Sequence, residues 1–224
     1  MKLKREAKRE LKRGRGRKLR AGAGLLAAFA LFTAAVCVFD VQAIGPAGST
    51  VGFAAVNGFV HRLTGVNMDL YVLTDWLSLI PAGFAAGFAA LGLAQWIKRG
   101  SIRRVDRSIL TLGVFYAAVL AAYVLFEVFP VNYRPVLIDG ALEASYPSST
   151  TVLVLCVMTT AAMQLDGRIR SGAVRRLASC LIIGFAAMMV LFRLVSGVHW
   201  LTDIAGGVLL SGGLVSLYAW AAEL

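Results

Sequence analysis

Stretches without Asp, Glu, Lys, Arg or His recur six times along the chain, at residues 21–39, 76–97, 108–126, 147–165, 177–192 and 204–222. Crossing a hydrocarbon core of about 30 Å takes roughly 20 apolar residues at about 1.5 Å each, and five of the six stretches meet that length. The stretch at 177–192 is short. It reaches adequate length only if Leu194 and Val195 continue it past Arg193, which places that arginine at a membrane boundary. None of the six carries the polar face of a helix in a soluble bundle. The pattern therefore predicts an all-α fold, a polytopic membrane protein in the form of a six-transmembrane-helix bundle. Its spans are expected at about 21–43, 73–97, 108–129, 147–166, 177–195 and 201–222.

Charge refines this picture. The formal net charge is +11, but residues 1–20 hold eleven Lys or Arg against Glu6 and Glu10 and so supply +9 of it. A basic arm beside a span binds anionic lipid headgroups and fixes orientation. No aromatic or zinc-ligand pattern points to nucleic acid, so the expected partners are membrane lipids and no nucleic acid. The apolar run after the arm exceeds the 7–15 residues of a signal-peptide core and reads as a retained span. The division is then a basic cytoplasmic arm at 1–20 and a membrane domain at 21–224. Of the twelve basic residues beyond the arm, Lys98, Arg99, Arg103, Arg104 and Arg107 fall between spans two and three, and Arg168, Arg170, Arg175 and Arg176 between spans four and five. With both termini cytoplasmic these loops are inside, as the positive-inside rule requires, in a multi-pass protein of the cell membrane. Arg62, Arg134 and Arg193 are left on the outer side, where topology does not explain them.

Outside that charge pattern the sequence holds little punctuation. In the first outer segment, 40–75, Gly45, Pro46 and Gly48 precede a stretch at 51–63 whose apolar face is expected to lie flat in the interface as a helix. Gly83, Gly87, Gly206, Gly207, Gly212 and Gly213 read as sites of close helix packing. Cys37, Cys156 and Cys180 fall inside predicted spans and read as small apolar residues, with neither a disulfide framework nor a metal site indicated.

Three short patches stand at the outer ends of spans three to six: Asn132-Tyr133-Arg134-Pro135, Tyr146-Pro147-Ser148-Ser149-Thr150, and the run from Arg193 to Asp203 that contains His199. In a compact bundle such ends can converge. Two arginine forks match phosphate oxygens and could clamp one phosphoryl group. The hydroxyls of Ser148, Ser149 and Thr150 open a helix, where exposed N–H groups favour an anion. His199 and Asp203 are four apart; on the first turns of span six they share a face, so the carboxylate can hold one imidazole nitrogen and leave the other as nucleophile. Asp203 would equally well cap span six.

These residues resemble the type 2 phosphatidic acid phosphatases, the lipid phosphate phosphatase family, whose motifs are K-x6-R-P, P-S-G-H and S-R-x5-H-x3-D. The third is matched by Arg193, His199 and Asp203; the first keeps Arg134-Pro135 and the second Pro147-Ser148, so the resemblance covers about residues 70–222. It implies a six-span phosphatase with active-site loops on the outer face that acts on a lipid phosphate. His199 is then the nucleophile, forming a phosphohistidine, with Asp203 its partner. Arg134, Arg193 and Ser148 then bind phosphate; the helix start adds Ser149 to them, and Thr150, Glu127 and Tyr146 are candidate auxiliary residues from their position alone.

Three positions depart from the pattern. Glu127 stands where the lysine is expected, Ser149-Thr150 where Gly-His is, and Phe192 where the serine is. The histidine so lost is the family's proton donor to the leaving group, a contribution of roughly 10²–10⁴-fold. A diphosphate suffers least from that loss, since a phosphate leaves more readily than an alkoxide, and lipid diphosphates are the expected substrates over phosphatidic acid. His61, Asp139, Glu143 and Tyr146 are all candidates for a replacement acid. Glu127 is expected either to pair with Arg134 or Arg193 or to stand as an interfacial carboxylate in water. The second reading is a non-catalytic relative that binds or moves phospholipid, which the missing lysine and histidine favour. A transporter is disfavoured by the lack of mid-span charges. Neither a cofactor nor a metal is expected, since no carboxylate or histidine cluster has ligand spacing.

Overall fold

Eight α-helices follow one another among the described residues: α1 (Lys2–Val38), α2 (Ala54–Thr64), α3 (Met68–Leu77), α4 (Leu79–Arg99), α5 (Arg107–Val128), α6 (Ser149–Asp166), α7 (Gly172–Val195) and α8 (Leu201–Ala221). They come from a computed structural model that describes residues 2–222. The side chains at 2–9, 11 and 12, much of the basic arm, lie outside the described residues, as do Met1, Glu223 and Leu224. Six helical segments are long and apolar enough to cross a membrane, with α3 and α4 counting as one. The chain is an all-α, multi-pass membrane protein.

Local chemistry sets the helix ends. α1 stops at Val38, short of the expected 43, because Asp40 turns the chain with φ at 47° and its carboxylate accepts the Ala55 N–H at 2.7 Å. The returning chain then packs so tightly that a side chain at Gly52 would lie 1.7 Å from the Val36 carbonyl. α3 and α4 begin earlier than the expected 73, at Met68, and meet at Ser78. Pro81 has no N–H for the Leu77 carbonyl four residues before it, which is where the axis breaks. α7 extends its apolar stretch in both directions to 24 residues, so Arg193 does sit in the last turn of a span.

The interior belongs to α6 and α8. About half of each is buried, 56% and 50% of the apolar window, against 11–22% in the other spans. Small residues let the neighbours close on α8. An added methyl at Gly206 would meet the Tyr146 ring at 2.6 Å, one at Gly207 the Thr151 side chain at 3.0 Å, one at Gly212 Leu25 at 3.3 Å and one at Gly213 Leu26 at 2.7 Å. Gly83 and Gly87 differ from the expectation of close packing: nothing lies within 4 Å of either, because they face away from the bundle. At the end opposite the site the buried Gln164 of α6 donates to the Tyr218 hydroxyl and, at 3.2 Å, to the Ser108 carbonyl, joining three helices.

α2 is the helix expected to lie in the interface. Val56, Phe59 and Leu63 are exposed on it, yet its other face is docked, with Asn57 fully buried against the start of α8. Replacing Gly52 by Ala forces the α1–α2 connection apart, and thermal unfolding in detergent should show a loss of at least about 2 kcal/mol. Gly87→Ala meets no neighbour and gains helix propensity of up to about 1 kcal/mol, so its melting temperature should not fall.

Candidate active site

α8 begins with a carboxylate cap. The N-cap is Trp200, and Asp203 in the first turn accepts its backbone N–H at 2.9 Å through Oδ2. His199 therefore lies just before the helix and not on its first turn. The same Oδ2 still comes within 3.5 Å of His199 Nδ1, because an N3 side chain folds back towards the N-cap. Capping and orientation, alternative readings of Asp203 from sequence, are served by one side chain. Gly197 makes the turn possible, with φ at 69° and no room for a side chain, since one would lie 1.8 Å from the Gly65 carbonyl.

The loop between α5 and α6 folds as a small hairpin, bridged at Tyr133–Ala144 and Ile138–Ala141. Arg134 and Glu143 face each other across it, with a backbone hydrogen bond of 3.0 Å and a side-chain ion pair of 3.0 Å. This delivers Arg134 Nη1 to 3.4 Å from His199 Nε2. Arg193, 2% exposed, enters from α7. Its Nη1 donates to Thr74 Oγ1 at 2.8 Å and to Asp75 Oδ1 at 2.9 Å. The Tyr71 ring lies beneath both guanidiniums, 4.6 Å from that of Arg193 and 5.7 Å from that of Arg134. Cation–π contact and the carboxylates thus hold two like charges side by side.

Burial, and after it the charges of Arg134 and Arg193, hold His199 well below the ordinary histidine range, so the imidazole is neutral at pH 7. Its Nδ1 and the Nε of Arg193 are buried without a hydrogen-bond partner among the described residues. A neutral ring nitrogen beside two guanidiniums can attack an anion that those cations hold.

The structure brings Arg134, Arg193, His199 and Asp203 together. Ser148, fully buried, caps α6 by accepting the Thr151 N–H at 3.4 Å, and its own N–H donates to the Asp203 carbonyl at 3.0 Å, so it ties α6 to α8. Ser149, Thr150, Tyr146 and Glu127 line a neighbouring cavity of about 410 Å³ that Asp75 and Ser145 also reach. The expected pairing of Glu127 with an arginine is not seen: Glu143 and Asp75 are the partners, and Glu127 is exposed. Among the candidate acids, Tyr146 spends its hydroxyl on Thr33 at 2.7 Å and burial pushes it up to about 12. His61 Nε2 contacts the Gly197 carbonyl at 3.1 Å, and Asp139 is exposed at the hairpin tip. Only Glu143 touches a residue of the site.

Sequence reasoning missed the supports. Asn132 donates to Asp203 Oδ1 at 3.4 Å; Asn57 donates to Thr202 Oγ1 at 2.9 Å and to the Gly52 carbonyl at 2.8 Å, and accepts the Thr202 N–H at 3.2 Å. Asp75 offered a signal, as a carboxylate at a boundary that faces unexplained arginines; Asn57 and Tyr71 offered none.

Residues 127–223 match the family model of the PAP2 superfamily. The chain is thus similar to the PAP2 superfamily over that segment, somewhat under half of its length. All five residues Arg134, Ser148, Arg193, His199 and Asp203 fall inside it, whereas the α2 and α3 supports do not. A similar fold is seen in the crystal structure of the first transmembrane PAP2 type phosphatidylglycerolphosphate phosphatase from Bacillus subtilis. The likeness covers 89% of this chain and 94% of that one, with a TM-score of 0.57 and 16% sequence identity. No curated protein matches the chain.

Asn57→Ala removes three hydrogen bonds from this end of the bundle and strands Thr202. Chemical or thermal unfolding in detergent is expected to record a loss of about 1–3 kcal/mol.

Proposed function

We propose that the protein hydrolyses a lipid-linked phosphate or diphosphate at the outer face of the cell membrane through a phosphohistidine intermediate. The observation that carries this is the neutral, buried His199, its Nδ1 near Asp203 and its Nε2 beside Arg134. Arg134 and Arg193 hold the phosphoryl group; Nε2 attacks phosphorus, a P–N bond forms and the P–O bond to the leaving group breaks. Water then attacks the phosphohistidine and releases inorganic phosphate. Asp203 keeps the ring oriented throughout and stabilises its charge.

Thr150 stands where the family's proton donor would be, and a threonine hydroxyl is a poor acid. A lipid diphosphate loses a lipid monophosphate as leaving group and needs no prior protonation. Diphosphates should therefore be turned over about 100-fold faster than phosphatidic acid. Faster phosphate release from phosphatidic acid would refute that preference.

A second reading, a relative that binds or moves phospholipid without turnover, is favoured by the carboxylates already on the clamp. An entering anion competes with Asp75 for Arg193 and with Glu143 for Arg134. Incubation with a panel of lipid phosphates, with and without chelator, separates the two. Turnover that chelator leaves intact and that His199→Ala lowers by roughly a thousandfold or more supports the enzyme. No turnover on any substrate favours the binder.

The pH profile offers an independent check. Because burial and two cations lower the affinity of His199 for a proton, the nucleophile stays unprotonated as pH falls. The kcat/KM plateau should extend below about pH 6.5, where an unperturbed histidine is already half protonated. An acid limb centred at that ordinary value would contradict the assignment.

A further inference from the structure

Two cavities lie end to end along α5, the upper one mainly against α6 and the lower one against α4. The upper one, about 410 Å³, starts among Ser145, Ser149 and Thr150 beside the phosphate clamp and reaches down to Ala85 and Tyr116. The lower one, about 360 Å³, is lined by the same Ala85 and Tyr116 and continues to Trp96 and Ile102 at the far end of the bundle. On α5 the upper cavity runs from Glu127 to Tyr116, eleven residues and so about 16 Å of helix. That is close to half of a hydrocarbon core of about 30 Å, which sets Tyr116 near the middle of the membrane. Its hydroxyl is 3.1 Å from Thr160 Oγ1 on α6, and that hydroxyl in turn donates to the Cys156 carbonyl at 2.7 Å. The ring is thereby pinned between the two cavities.

The upper cavity changes character along its length. Asp75, Ser149 and Thr150 stand at one end, and Val119, Leu153 and Val157 lie towards Tyr116. A ligand that fits has a polar head and one apolar tail. The polar end is continuous with the clamp through Asp75, which the structure bonds to Arg193.

We propose that the upper cavity receives the tail of the lipid phosphate or diphosphate and that the Tyr116 ring is its floor, a gauge that selects tails about one leaflet long. The inference rests on the phosphatase reading and adds which tail the site accepts. Transfer from bilayer to groove gains little, since lipid tails are as apolar as the lining. Fit at the floor decides instead. A tail longer than the cavity must push the ring off Thr160, and a mismatch of one methylene or more in a shaped pocket discriminates by roughly 10–200-fold.

The test is a series of prenyl diphosphates with one headgroup and tails from shorter than one leaflet to much longer, presented in mixed vesicles. The readout is the ratio of kcat/KM for the longest tail to that for a one-leaflet tail. Tyr116→Ala joins the cavities and should raise the ratio by about tenfold, while Tyr116→Phe, which keeps the ring, should leave it within about twofold of wild type. Equal ratios in wild type and Tyr116→Ala would mean that tails leave sideways into the bilayer, and the gauge would be wrong. Should Tyr116→Ala fail to fold, Ala122→Phe on the upper wall shortens the cavity from the side. It should then shift preference from one-leaflet tails towards shorter ones by several-fold; an unshifted preference overturns the proposal. If the wild type turns over no member of the series, the phosphatase reading fails instead.

Discussion

The carboxylate of Asp203 is the contact on which the rest of this end of the bundle depends. One oxygen caps α8 through Trp200 and faces His199; the other accepts from Asn132 of the hairpin; the residue's carbonyl receives Ser148 at the start of α6. A fully buried carboxylate is costly unless each oxygen is satisfied, and here its satisfaction requires that the α5–α6 hairpin, α6 and α8 arrive at one point. Helix ends in an apolar medium leave N–H groups that have no water to turn to. Placing the acid at that end solves both problems and positions the histidine as a consequence.

The second constraint is the pair of arginines. Two guanidiniums beside one imidazole repel each other and must be compensated within the protein. α3 supplies Thr74, Asp75 and the Tyr71 ring, and the hairpin supplies Glu143. The break at Ser78, before Pro81, is what frees α3 from the line of α4. Four arginine supports thus come from α3 and the hairpin, and those on α3 lie outside the segment that matches the PAP2 family. The same carboxylates give the site its ambivalence: they keep the clamp rigid, and they are rivals to any anion.

In the proposed function, fold and substrate are connected through α5 and α6. α6 is interior and carries the phosphate-side cap at its start, while eleven residues down its length Thr160 holds Tyr116. The proposed headgroup and tail sites are therefore built on one rigid element, at a separation set by helical rise. On the proposed reading, a cavity that begins at the clamp and ends at a pinned aromatic ring would join the chemistry of the phosphate to the length of what carries it.

The six spans were legible from apolar length alone, because a membrane-crossing helix announces itself over about 20 residues of local sequence. Arg134, Arg193, His199 and Asp203 were legible too, two as arginines that topology left unexplained and two by their spacing and family resemblance. Ser148 was recognisable as a helix start, and only the fold showed its N–H committed to α8. For Glu127 the sequence left open an arginine partner or water, and the fold decided for water, since sequence offers an acid at the right depth but not the direction in which it points. Asn57, 145 residues from the threonine it holds, left no local trace. Nor did the Tyr71 ring or the division of the groove at Tyr116. Sequence by itself determined what repeats locally: span length, charge asymmetry and motif spacing. Tertiary structure alone decided which carboxylate meets which arginine and what a buried asparagine satisfies, because those partners are chosen by helices packed side by side, not by neighbours along the chain.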